Sequence, residues 1–490
     1  MERRTKIVIT IGPASGDEAT IEQLLQAGVN VMRLNFSHGT HAEHSTHIAR
    51  IRRASEKLGL PVTLLQDLQG PKIRTGRIAG GQVVLTAGQS LTLTSRDVIG
   101  DDRVVSVDYP DLSRSLAPGG RILLDDGNLE LVVISIDEEE VETRVVVGGI
   151  LKSNKGVNLP NANLSLQALT EKDEVDLAFG LTRGVDAVAM SFVRKASDIG
   201  RVREAIALLA PDLRDTPVIA KLERPEALDN LHEIVDAADG VMVARGDLGV
   251  EMSPEAVPIA QKRIIAAANQ HAKMVITATQ MLDSMISNPR PTRAEASDVA
   301  NAIFDGTDAV MLSGETAIGK YPVKVVETMA AIAQQAESHL AEWGHWSGNL
   351  GDDASGVLTM GEMTHDDALS TTRAARELAH DRNVTAIAVF TMTGRTAQLV
   401  SKVRPRVPIL AFTSVEKTYR RMPMLWGVIP SLVPHVDTLE DMLASVDKEI
   451  LERGTVQPGQ QVVVVCGFPV GAKCPPNLAL LHTVGRLTPP

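Results

Sequence analysis

The stretch VIAKLERPEALDNLHEIVDAADGVMVARGDLGVE, residues 218–251, decides how this chain folds. A β-branched run at Val218–Lys221 leads into a helical pattern over 225–237, and an apolar run follows at Gly240–Ala244. Short strand-like runs alternating with longer helical patterns are the mark of βα units. Each run also ends in polar residues: Lys221 with Glu223 after the first, Arg245-Gly246-Asp247 after the second.

The same alternation extends in both directions. Upstream, strands are predicted at Lys6–Ile11, Val29–Leu34, Val62–Leu65 and Ala187–Met190, with helices over 18–27, 42–58, 171–182 and 197–209. Downstream, helix 254–271 leads to strand Met274–Ile276, a helix ending near Phe304 leads to strand Ala309–Leu312, and a helix over 322–338 follows. Eight strands, each followed by a helix, predict a closed (β/α)8 TIM barrel made of residues 1–70 and 165–340. The pattern breaks once. Residues 71–164 carry short alternating runs between Gly and Asp turns (Gln82–Leu85, Leu91–Thr94, Ile122–Leu124, Leu129–Ile136, Val141–Val147), an inserted β-barrel lid domain. Residues 339–366, with Trp343 and Trp346 and no clear period, read as a linker. Beyond it, strands at Ala386–Phe390, Ile409–Phe412, Gly427–Pro430 and Gln461–Val465 alternate with helices over 367–380, 396–403, 414–422 and 438–453. Too few to close a barrel, they predict an open C-terminal α/β domain, residues 355–490.

Acidic residues number 61 against 49 basic ones, a net charge of −12, which disfavours nucleic acid and anionic membranes as partners. Aromatics at 3% argue against a stacking platform for single strands. Cys466 and Cys474 form neither a CxxC pair nor a disulfide framework, and no apolar run approaches membrane-spanning length. The start of the chain lacks the apolar core of a signal peptide. The expectation is a cytoplasmic, multi-domain protein.

Barrels of this kind keep their chemistry at the carboxyl ends of the strands. That rim carries Arg33, Asn35 and Ser37; Asp67, Lys72 and Arg74; Lys221 and Glu223; Gly246 and Asp247; Thr279; and Ser313. Glu223 and Asp247, hard oxygen donors on adjacent strand ends, suit Mg2+. Lys221 beside them suits a developing oxyanion, and Arg33 and Arg74 suit phosphoryl oxygens. Free N–H groups at Gly246-Asp247 suit a carboxylate. The set asks for an anionic substrate carrying both carboxylate and phosphate. Two patterns are set aside. Gly314-x4-Gly319-Lys320 resembles a P-loop, but Tyr321 stands where a hydroxyl is required. His38, His41, His44 and His47 have i,i+3 spacing but no evident acidic or Cys partner, and read as a polar helix face, with His38 alone lining the site.

Seven segments together resemble the pyruvate kinases: TKIVITIGPAS (5–15), NVMRLNFSHGTH (30–41), QDLQGPKIRTG (66–76), VIAKLERPEAL (218–228), DGVMVARGDLGVE (239–251), TATQMLDSMI (277–286) and RPTRAEASDVANAIFDGTDAVMLSGETAIGKYP (290–322). The resemblance implies transfer of a phosphoryl group from phosphoenolpyruvate to ADP, giving pyruvate and ATP, the last step of glycolysis. It implies that Lys221 stabilises the phosphoryl transition state and the enolate, and that Arg33 holds the migrating phosphoryl group. Glu223 and Asp247 would bind Mg2+ or Mn2+. Gly246, Asp247 and Thr279 would hold the substrate carboxylate, while Thr279 and Ser313 would lie where the enolate is protonated. Asn35, His38, Arg74 and Lys195 would surround the nucleotide, under a lid that closes and expels water.

The chain departs from the family at one place. Many relatives need K+ at a site matching Asn35, Ser37 and Asp67, with a Thr where Leu68 stands and a Glu where Lys72 stands. Leu68 offers no oxygen and Lys72 brings its own ammonium, so K+ is expected not to be required. In the C-terminal domain, Thr391, Thr393, Gly394, Arg395 and Thr396 lie between a strand and a helix start, a cradle for a phosphorylated effector; the loop Gly467–Lys473 could close over it. The family usually forms homotetramers, so one is expected. A non-catalytic binder of phosphorylated metabolites, and a barrel enzyme performing C–C chemistry, remain as alternatives.

Overall fold

The computed structural model describes residues 3–160, 162, 167–343, 367–472 and 474–485. Of the expected linker 339–366, Leu340–Trp343 forms a short helix; residues 344–366 with Trp346, the junction at 163–166, Lys473 and the end from 486 lie outside the described residues.

Eight parallel strands close into a ring: Lys6–Thr10, Val31–Asn35, Thr63–Asp67, Ala187–Met190, Val218–Leu222, Gly240–Ala244, Met274–Ala278 and Ala309–Leu312, with the last hydrogen-bonded back to the first. The register sets the rim. Asn35 pairs with Asp67, Lys221 with Met242, and Ala244 with Ala278, so the polar residues after each strand emerge at one level. Inside the ring Val8, Ile219, Met242, Ile276 and Met311 fill the base. The apolar backs of the strands pack against the surrounding helices in two further clusters.

Helices begin where capping chemistry directs. Thr40, Thr170 and Thr292 each accept from a backbone N–H three residues on, while Glu43, Asp173 and Glu295 reach back to the cap. Two helices differ from expectation. The segment 225–237 is broken at Asn230 into Pro225–Asp229 and Leu231–Ala237. A short helix, Arg245–Glu251, follows the Gly240–Ala244 strand directly, ahead of helix Val257–Gln270.

The insertion carries a six-stranded sheet and a two-stranded one around a single core of Leu91, Val105, Ile122, Leu131, Val141 and neighbours. Isolated bridges (Arg74–Gly156, Thr75–Val107, Ile78–Gly100) tie the sheet margins together. The inserted β domain thus builds its single core from two sheets. Short strands at Val104–Ser106, Gly149–Lys152 and Val157–Asn158 add to the predicted ones; they are too short to show an alternating pattern.

The C-terminal sheet has the order Val428–Leu432, Ile409–Thr413, Ala386–Phe390, Gln461–Cys466, Leu478–Thr483. Its last strand is antiparallel, an edge that the βα pattern did not signal. This unit is joined to the barrel through buried charges. Lys402 ion-pairs with Asp308 and donates to Asn269 Oδ1 at 2.8 Å, while Arg404 lies 2.8 Å from Asp308 Oδ1. Asp308 in turn accepts from the Val275 N–H at 2.7 Å. Among the described residues no helix is long and apolar enough to cross a membrane.

Candidate active site

The barrel mouth is organised around one buried carboxylate. Asp67, at the end of the third strand, accepts from Arg33 Nε at 2.5 Å on Oδ2 and faces Lys221 Nζ at 3.1 Å on Oδ1. Lys221 Nζ also lies 2.8 Å from Glu223 Oε1 and donates to Ser191 Oγ at 2.7 Å. Arg33 donates to Thr10 Oγ1 at 2.9 Å. Burial alone would lift the Asp67 carboxyl, but Arg33 and Lys221 outweigh it and hold it below the usual range. Burial alone would lower the Lys221 ammonium, but Asp67 and Glu223 outweigh it, so it stays charged.

Glu223 behaves differently. Burial, with the Asp247 charge adding to it, pushes its carboxyl up to about 7, although Lys221 pulls the other way. Two cations, Arg33 and Lys221, face three carboxylates, Asp67, Glu223 and Asp247. A divalent cation would remove that surplus, and two carboxylates with open positions suit Mg2+, which keeps places for water and substrate oxygens. Among the described residues no group of three or more His, Cys, Asp or Glu is placed to hold a metal by itself. Two carboxylates that leave the remaining positions to water and substrate oxygens fit Mg2+ or Mn2+.

Across the mouth, the Gly246 N–H donates to Thr279 Oγ1 at 3.0 Å. Thr279 has φ +70°, a left-handed conformation costly for a β-branched residue. Arg245 holds it there, donating to the Thr279 carbonyl at 2.7 Å while anchored to Asp298 at 2.6 Å. Strain kept by surrounding contacts is a feature of functional loops. Ser313 Oγ is buried with no hydrogen-bond partner among the described residues, and the Ser313 N–H donates to Glu315 at 2.6 Å.

The residues expected on the nucleotide side are more scattered. His38 is held below its ordinary pKa by burial first, then by the charges of Arg74, Lys72 and Arg33, so these four share one electropositive margin. Arg74 donates to the Asn154 carbonyl of the insertion at 3.2 Å. Asn35 Oδ1 accepts from the Ser37 N–H at 3.2 Å. Lys195 is exposed at the start of helix Ala196–Leu209. Lys72, at the start of the insertion, has its Cε 3.3 Å from where a Cβ on Gly156, near the insertion's end, would lie. Leu68 is buried in the apolar cluster.

Several contributors were missed. Thr10 and Ser191 end or follow barrel strands, so the rim rule could have found them. Arg245 and Glu315 stand in the strand-end runs but were given no role, since they act through folded neighbours. The histidines do not converge on a metal: His41 pairs with Asp176 at 2.7 Å and stacks on Phe179, and His44 stacks on Phe36. Asp176 is the acidic partner that the local sequence did not show. At Gly314–Lys320 no phosphate loop forms; a Cβ on Gly319 would lie 2.2 Å from the Glu315 carbonyl oxygen.

In the C-terminal unit, Thr391, Thr393, Arg395 and Thr396 line a cavity of about 350 Å3 closed from the other side by Gly467, Val470 and Gly471. Gly394, at φ +87°, caps helix Arg395–Lys402, and its N–H donates to Thr391 Oγ1 at 3.0 Å.

The family description "Pyruvate kinase, barrel domain" matches residues 2–326, and "Pyruvate kinase, alpha/beta domain" matches residues 370–482. The chain belongs to the pyruvate kinase family. It is 47% identical to a pyruvate kinase of Geobacillus stearothermophilus over 99% of this chain and 81% of the relative. It is 45% identical to one of Mycobacterium intracellulare over 99% of both. A solved pyruvate kinase of Cryptosporidium parvum superimposes with a TM-score of 0.91 at 34% identity, covering 98% of this chain and 96% of that one. Membership in the pyruvate kinase family makes the chain a phosphotransferase.

Proposed function

We propose that the barrel mouth transfers the phosphoryl group of phosphoenolpyruvate to ADP, with Glu223 and Asp247 holding Mg2+ or Mn2+. The observation that carries this reading is the Lys221 ammonium fixed between Asp67 and Glu223. A bound divalent ion supplies positive charge where negative charge develops. Lys221 stabilises the charge on the bridging and enolate oxygens, already oriented by Ser191 and Asp67, so that little reorganisation is needed. Arg33, held by Asp67 and Thr10, grips the phosphoryl oxygens. Gly246, Asp247 and the strained Thr279 hold the carboxylate, and Thr279 and Ser313 line the side from which water supplies the proton to the enolate. His38, Arg74, Asn35 and Lys195 hold ADP. Positioning and charge neutralisation dominate such transfers.

The domain division at 1–70 with 165–340, 71–164 and 355–490 belongs to the same reading. So do a cytoplasmic homotetramer, independence from K+, and activation by a phosphorylated metabolite at Thr391–Thr396. Helix Arg395–Lys402 supports that last part, running from the cavity to the buried Lys402–Asp308 pair at the foot of the barrel. The test is a coupled assay for pyruvate formed from phosphoenolpyruvate and ADP with Mg2+. Activity that disappears on chelation and in Lys221→Met is expected; no pyruvate from the unmodified protein overturns the reading.

A further inference from the structure

Glu251 is a buried carboxylate that the mechanism above does not use. It closes the short helix Arg245–Glu251, four residues after Asp247, so both carboxylates lie on one face of that helix. Its Oε1 accepts from Asn158 Nδ2 of the insertion at 2.8 Å, and its Oε2 lies 3.6 Å from Arg224 NH2. Arg224 directly follows Glu223, and it is 4% exposed against 5% for Glu251. The small cavity at this junction has room for about a water, at about 20 Å3, so the contact is a joint between parts and not a ligand site.

We propose that Glu251 is a positioning residue that couples the inserted sheets to the divalent-ion site. It fixes the helix that carries Asp247 against the strand end that carries Glu223, and Asn158 makes that arrangement depend on where the insertion sits. Seating of the insertion and assembly of the two metal ligands then become one event. The inference rests on the metal assignment made under Proposed function. Groups behind metal ligands set ligand orientation, and their loss lowers metal affinity while the ligands themselves remain.

The probe is Mn2+ alone, titrated into the full chain and followed by its electron paramagnetic resonance signal. Glu251→Ala is expected to weaken Mn2+ binding about tenfold. Glu251→Gln keeps an acceptor for Asn158 and is expected to recover part of the loss. Asn158→Ala removes no core packing, so folding does not confound it, and it is expected to weaken Mn2+ several-fold. Combined with Glu251→Ala it should add nothing further, since the two act through one contact. Unchanged Mn2+ affinity in both single variants, or fully additive losses, overturns the proposal. Tight Mn2+ binding that survives Glu223→Ala and Asp247→Ala instead overturns the metal assignment itself.

Discussion

Lys221 and Glu223, two residues apart on one strand end, meet at 2.8 Å with both side chains almost wholly buried. Successive strand residues alternate faces, so residues i and i+2 share one, and this pair projects together into the barrel mouth. Neither group has solvent to neutralise it: Lys221 depends on Asp67 and Glu223, while Glu223 has Lys221 as its cation and Asp67 as a like charge.

Lys221→Met should therefore harm both activity and stability. Loss of an oriented charge on the developing anion is expected to lower kcat by about 10²–10³-fold or more. Stranding Glu223 without its cation, and leaving Asp67 with Arg33 alone, should cost about 3–5 kcal/mol. Steady-state kinetics and denaturant unfolding measure the two effects separately. Near-normal kcat would remove Lys221 from the chemistry.

The Glu223 carboxyl, lifted to about 7, makes a pH prediction of definite sign. Between the ordinary value of 4.5 and about 7, the folded metal-free chain keeps a proton that the unfolded chain has lost. Its stability should fall as pH rises through that window, and Mg2+ should restore it. Below about pH 7, Mn2+ affinity should drop about tenfold per unit, because one proton must leave for the metal to bind. A Mn2+ titration across this range checks the slope, which Glu223→Gln should flatten.

Leu68 and Lys72 predict indifference to K+. Turnover in a buffer free of sodium and potassium should match turnover with K+ added. Lys72→Glu reverses the charge beside the insertion and should create a requirement for a monovalent cation. Collapse of the unmodified enzyme in that buffer, with rescue by K+, would contradict the prediction.

The cavity at Thr391–Thr396 should lose its affinity for phosphate esters once it carries negative charge. Thr391→Glu and Thr396→Glu are each expected to abolish activation by a sugar phosphate while leaving basal turnover intact. Activation curves with and without the effector decide this; an unchanged response would place the effector elsewhere.

How much of this was legible beforehand depended on range. The eight strands were visible because period and capping are local properties, and strand-end residues such as Arg33, Asp67, Lys221, Glu223 and Asp247 fall on the rim by topology alone. The break at Asn230, whose side chain donates to the Arg194 carbonyl, and the His41–Asp176 pair were not visible, since each depends on a partner distant in sequence; the edge Leu478–Thr483 pairs with the strand just before it but breaks the βα alternation.

Sequence by itself determined the strand-and-helix order, the rim on which the charged groups stand, and the family. Tertiary structure alone decided that Asp67 would serve both Arg33 and Lys221, that Arg245 would hold Thr279 in a costly conformation, and that Asn158 would reach Glu251. The reason is that closing the ring and seating the insertion bring into hydrogen-bond range groups whose separation no local periodicity encodes, and burial then sets their charge states.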